Sequence, residues 1–152
     1  MEIVFAVLFL SLLAYHTYTD VRYLLLYDKV TLLLVLCGCL RAVMLQQMSE
    51  SLKAAGVLLA IMLVIYFISR GGMGEGDVKL APVLGLWLTL EEGLLCLLLA
   101  FVGGSLVGGV LLLRGKSRRS LLPFGPFLCA GALAAYFFGE QLLACYWQLA
   151  LG

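Results

Sequence analysis

Long apolar runs alternate with short polar breaks along the whole chain. The runs are Ile3–Thr19, Val30–Leu45, Ala54–Ser69, Val78–Leu90, Gly93–Leu113 and one from about Phe124 to Phe138. A helix needs about 20 mostly apolar residues, with a range near 17–25, to cross a bilayer. The pattern therefore predicts an all-α, polytopic membrane protein with about six transmembrane helices. A further apolar stretch, Leu142–Leu151, follows a break at Gly139–Gln141; it either extends the sixth helix or lies in the interface. The fourth run is short: about 13 residues, or about 20 Å of a core about 30 Å thick. The glycine-rich "GGMGEG" before it has to supply the missing depth. Irregular backbone is tolerated there only where protein buries it or it lines a water-filled cavity. The loop is thus expected to dip into the protein and set Asp77 beside water. Gly74 and Gly76, on either side of Glu75, permit close approach, and Pro82 suits a first-turn position or a kink.

Composition agrees with the pattern. Of 152 residues, 64% are hydrophobic and 12% charged, against roughly 25% charged in soluble domains, and the length suits one membrane-embedded domain over residues 1–152. The N-terminal run lacks a basic leader region and a small-residue cleavage site and carries Glu2, so it reads as a retained helix rather than a signal peptide. The five cysteines, Cys37, Cys39, Cys96, Cys129 and Cys145, form no CxxC pair and read as small membrane hydrophobes. No metal or cofactor is expected. The net charge of +1 gives no reason to expect a nucleic-acid partner; the partners are lipid and a substrate.

Charge placement sets orientation. The loops at 20–29, 70–79 and 114–120 hold Arg22, Lys29, Arg70, Lys79, Arg114, Lys116, Arg118 and Arg119, eight of the ten basic residues. Arg41 and Lys53 fall on the other side. The positive-inside rule makes the three loops cytoplasmic and puts both termini outside, with "RGKSRR" as a topology anchor on the anionic inner leaflet.

Ionisable residues at membrane depth are costly and mark functional sites. Asp20 ends the first run and Asp77 begins the fourth, so both lie on the same side whatever the orientation. Two carboxylates sharing a water can hydrolyse an amide: close together they cannot both ionise comfortably, so one keeps a proton. The ionised one takes a proton from water and the other donates to the carbonyl oxygen. An alternative is that the aspartates only cap helix ends, since aspartate is a good N-cap and Asp77 stands where a cap would stand.

These residues resemble a known family. "GEGD", Gly74–Asp77, fits the GxGD motif of intramembrane aspartyl proteases, and "GMGEGDVKLAPVLGLW" is similar to the motif region of bacterial type IV prepilin peptidases. "DVRYLLLYDKVT", Asp20–Thr31, resembles their first-aspartate segment, and "LPFGPFLCAGA", Leu122–Ala132, a third segment late in the chain. The resemblance implies Asp20 and Asp77 as the catalytic pair of an endopeptidase in the cytoplasmic membrane. Its substrates would be prepilins or pilin-like proteins with a short basic leader, cut after a glycine at the cytoplasmic face. The family's common Ile-Pro-Asn is here Leu26-Tyr27-Asp28, which removes a proline from the turn and adds a third acid. Long members also N-methylate the new terminus through a segment with two CxxC pairs; lacking these, the chain resembles the short, peptidase-only form.

The remaining polar residues have plainer readings. His16, one helical turn before Asp20, either tunes that acid or is simply interfacial. Glu75 fills the variable position of the motif. Lys79 snorkels to the cytoplasmic edge or engages substrate. Pro123, Gly125 and Pro126 shape a turn near the site without offering a titratable group. In "GGSLVGG", the spacing of Gly104 with Gly108 and of Ser105 with Gly109 suggests a face for close helix packing. Two other classes compete with a protease. A small proton-coupled transporter or channel would use the acids as a relay, but would need more polar groups deep in the second and fifth runs. A non-enzymatic assembly component would not need the acid pair.

Overall fold

A computed structural model describes residues 2–69, 72–114 and 123–151, with side chains through residue 148. Six helices follow one another: α1 (Glu2–Tyr23), α2 (Asp28–Met44), α3 (Met48–Ser69), α4 (Glu75–Gly85), α5 (Leu90–Leu113) and α6 (Gly125–Leu151). No strand occurs among the described residues. α1, α3, α5 and α6 are long and apolar enough to cross a membrane, whereas α2 has 17 residues and α4 only 11. The outer surface is covered with exposed Leu, Val, Ile and Phe side chains, such as Leu36, Phe67, Ile68 and Leu98. Contiguous apolar surface on that scale belongs against lipid. The protein is a multi-pass membrane protein.

Several element boundaries differ from the hydropathy pattern. α1 runs past Thr19 to Tyr23 and carries Asp20 in its last turns. It stops at Leu24, whose φ of 52° is left-handed and whose N–H bonds the Asp20 carbonyl at 2.9 Å. That is an αL cap, normally glycine's place, and a leucine there costs roughly 1–2 kcal/mol. α2 ends on a Schellman turn: Gln46 has φ 57° and the Gln47 N–H reaches the Ala42 carbonyl at 2.9 Å. α3 consequently starts at Met48, well before Ala54, and includes the solvated Glu50–Lys53 pair. α6 continues through Gly139–Gln141, so the 142–151 tail belongs to it. Arg70, Gly71, Lys116, Arg118, Arg119 and Leu122, used in the charge and motif readings, lie outside the described residues.

The short α4 begins at Glu75 and ends at Gly85, about 16 Å of helix. Pro82 stands inside it rather than in the first turn. Leu86, Trp87 and Leu88 are buried in a tightened turn, where protein rather than lipid surrounds irregular backbone. The end of α4 is anchored. Trp87 stacks on Phe9 with centroids 4.7 Å apart, and its indole N–H donates to the Leu34 carbonyl at 3.1 Å. Gly38 leaves room for that ring, since a Cβ there would lie 2.7 Å from the indole nitrogen. Arg41 donates to the Trp87 carbonyl at 3.2 Å, faces Glu2 at 3.6 Å and lies over the Tyr136 ring. Three helices, α1, α2 and α6, thereby grip one turn.

The closest backbone approaches fall at glycines outside the "GGSLVGG" segment, while Gly104 within it packs against α6. A Cβ on Gly85 would lie 2.6 Å from the Ala55 nitrogen, and one on Gly131 would lie 2.6 Å from the Cys96 carbonyl oxygen. These bring α4 onto α3 and α6 onto α5. In the "GGSLVGG" segment, Gly103 and Gly104 receive the rings of Phe127 and Phe124, while Gly109 faces open space.

Candidate active site

Asp20 reaches the site from the end of α1 and Asp77 from the first turn of α4. Both are buried, at 7% and 6% exposure. Both line one cavity of about 280 Å³. Asp77 is not the cap of its helix; Gly74 is. The capping alternative therefore does not account for Asp77.

The surroundings of the two acids differ. Asp20 Oδ2 accepts a hydrogen bond from the Gly125 N–H at 2.9 Å. Gly125 is the first residue of α6, so the bond comes from a helix N-terminus, where N–H groups lack intrahelical partners and the dipole favours negative charge. A Cβ on Gly125 would sit 2.5 Å from Asp20 Oδ2; only glycine lets the helix end come this close. Asp77 Oδ1 is buried with no hydrogen-bond partner among the described residues, and its carboxylate oxygens are the groups left to receive a ligand in the cavity. The motif glycines have separate duties. A Cβ on Gly74 would stand 3.2 Å from Asp77 Oδ2, and one on Gly76 would stand 2.8 Å from Leu26 Cδ1. The first clears the carboxylate; the second lets the chain between α1 and α2 lie against α4.

The neighbouring residues occupy the cavity mouth. Lys79 and Asp28 form an exposed pair at 3.3 Å, and the Tyr66 hydroxyl donates to Glu75 at 3.4 Å. Tyr27 has φ −74°, inside the range of about −65 ± 15° that proline imposes, so the turn keeps the geometry the absent proline would give. Pro123 and Pro126 flank Gly125 and are half-buried; Pro126, in the first turn of α6, sacrifices no helical bond. His16 is not interfacial: it is fully buried, with Nε2 3.5 Å from the Thr31 hydroxyl and Nδ1 unpartnered among the described residues. Among those residues no three His, Cys, Asp or Glu side chains converge as metal ligands would. The sequence reading missed two features, the Gly125 N–H on Asp20 and the cavity wall formed by Leu24, Leu25 and Leu26. The glycine between two prolines signalled the first as a turn but not as a donor.

Fold and site together define a multi-pass helical membrane protein with two buried carboxylates lining one cavity. Comparison with known proteins gives the family. The type IV leader peptidase family matches residues 7–109, a span that includes Asp20, Asp77 and everything between them. The chain belongs to that family. It is 30% identical over 155 residues to the prepilin leader peptidase/N-methyltransferase of Bacillus subtilis (strain 168), covering 100% of this chain and 62% of the relative. To the protein of the same name from Legionella pneumophila it is 33% identical over 153 residues, 95% of this chain and 53% of the relative. The chain thus spans between about half and three-fifths of the length of these relatives. No solved structure matches it.

Proposed function

We propose that the chain is an aspartyl endopeptidase that removes the leader from prepilins or pilin-like proteins, using Asp20, Asp77 and a water at the cytoplasmic membrane face. The observation that carries this is the burial of two carboxylates, far apart in sequence, in the wall of one cavity. One is held by a backbone N–H and the other has an oxygen with no partner among the described residues. In the proposed reaction the water, held between the carboxylates, gives a proton to the ionised one while its oxygen adds to the scissile carbonyl carbon. The protonated partner donates to the carbonyl oxygen. The tetrahedral intermediate then collapses, the C–N bond breaks and the leaving nitrogen takes a proton from the dyad. Holding both acids on rigid helix ends supplies the orientation that such a reaction depends on.

Leader removal is one of two activities in the relatives' printed names, and we assign these 152 residues the peptidase alone. Coexpression with a prepilin, followed by mass measurement of the pilin, tests both parts. The expected product is shortened by its leader and has an unmodified N-terminus. An intact prepilin refutes the peptidase, and a methylated terminus made by this chain with a methyl donor refutes the restriction to one activity.

Charge supports the orientation. Arg22, Lys29, Lys79 and Arg114 stand at the helix ends nearest the cavity, while Glu2, Glu50, Glu91 and Glu92 start helices at the far end. The basic end is placed in the cytoplasm. Lys29 and Glu50 are both exposed. In a Cys145→Ser background, Lys29→Cys should react with a membrane-impermeant thiol reagent only in inverted vesicles, and Glu50→Cys only in right-side-out ones. The reverse pattern would turn the molecule over.

A further inference from the structure

Leu24, Leu25 and Leu26 form one wall of the cavity that holds Asp20 and Asp77. The chain leaves helix at Leu24 and re-enters it at Asp28 after Tyr27, whose φ and ψ of −74° and 118° are extended. Leu25 and Leu26, between them, belong to no helix, turn or strand. The Leu24 N–H is bonded to Asp20, and the Tyr27 carbonyl accepts from Val30 and Thr31. By contrast, the N–H groups of Leu25, Leu26 and Tyr27 and the carbonyls of Leu24, Leu25 and Leu26 have no hydrogen-bond partner among the described residues. Leu25 is 54% exposed, whereas Leu26 is turned inward against Gly76. Successive side chains therefore point to opposite sides, as they do in a strand.

This is an open edge beside two carboxylates, in an otherwise helical protein at the margin of a membrane. Unpaired backbone polar groups there are costly. A peptide bond cut by a water has a matching need. Inside a helix its carbonyl is engaged by the following turn and its faces are covered, so the bond must be unwound to be attacked. Unwinding leaves the substrate's own N–H and C=O groups unpaired. Pairing the two segments meets both needs, with main-chain bonds for affinity and alternate side-chain contacts for selectivity. Residues 25–27 span about 10 Å when extended.

On the reading that the chain is a peptidase, we propose that its substrate is bound across the scissile bond as an extended strand, added edge-to-edge to Leu25–Tyr27. Its backbone pairs with Leu25 and Leu26, and its alternate apolar side chains pack against the exposed Leu25. The segment between α1 and α2 is thus a substrate-binding edge as well as a connection.

Periodicity of cross-linking tests this. Leu25→Cys is made in an Asp77→Asn chain with Cys145→Ser, since Cys145 is the native cysteine that is exposed. It is oxidatively cross-linked to a prepilin bearing single cysteines at successive positions through the leader junction. A strand exposes alternate residues, so the yield should peak at positions two apart, at least about fivefold above those between. A peak every three to four residues, an even ladder, or no cross-link overturns the strand pairing, provided that the wild-type protein cuts the same prepilin. If the wild-type protein does not cut it, the peptidase reading fails first and the strand pairing with it.

Discussion

Asp20→Asn and Asp77→Asn are each expected to lower prepilin cleavage by at least about 10³-fold, or about 4 kcal/mol of barrier. Asparagine keeps the size of the side chain and, at position 20, an oxygen able to accept the Gly125 N–H. It cannot take a proton from water or return one to the leaving nitrogen. The fold should survive, because both sites are filled by an isosteric group and helix packing rests on other residues. Asp28→Asn should keep activity within about threefold. Asp28 is exposed and, among the described residues, pairs with Lys79, an arrangement contributing about 0–1 kcal/mol. Leader cleavage at matched expression measures all three. Activity in Asp20→Asn together with loss in Asp28→Asn would move the pair to Asp28 and Asp77.

The second large effect concerns a residue with no side chain. Gly125→Ala is expected to lower kcat about 10²-fold, the scale on which a misplacement of about 1 Å acts, with KM little changed. The added methyl would stand 2.5 Å from Asp20 Oδ2 and 3.0 Å from its Cγ, so either the carboxylate or the start of α6 must move. Moving either breaks the 2.9 Å bond that holds Asp20. Gly109→Ala is the control: its Cβ would meet nothing within 4 Å, and alanine is the better helix former by roughly 0.5–1 kcal/mol. Wild-type turnover in Gly125→Ala would show that the α6 terminus does not position Asp20.

The helices themselves were largely legible in the chain, because hydropathy reports lipid exposure directly. The errors arose where apolar character and helicity part company. Leu86, Trp87 and Leu88 continue the fourth apolar run but are a buried turn, and hydropathy cannot separate a buried turn from a helix. Glu50 and Lys53 looked like a loop, although residues three apart on a helix pair in solvent. Gly139 looked like a break, yet it serves contact: a Cβ there would lie 2.8 Å from the Glu92 Cγ. In the site, Asp20 and Asp77 stood out because a charge in an apolar run is rare. The donor on Asp20 did not, because backbone N–H groups carry no letter in a sequence. The burial of His16 was equally hidden, since it depends on the approach of Thr31 from α2.

Trp87, gripped by α1, α2 and α6 at one end of α4, and Asp77, seated in the cavity at the other, are joined by a rigid rod. Inserting or deleting one residue between them would turn one end about 100° relative to the other and shift it about 1.5 Å along the axis. The indole and the carboxylate could not then both keep their seats. The spacing from Asp77 to Trp87 is accordingly a fixed rotational register, tolerant of exchanged side chains and intolerant of altered length.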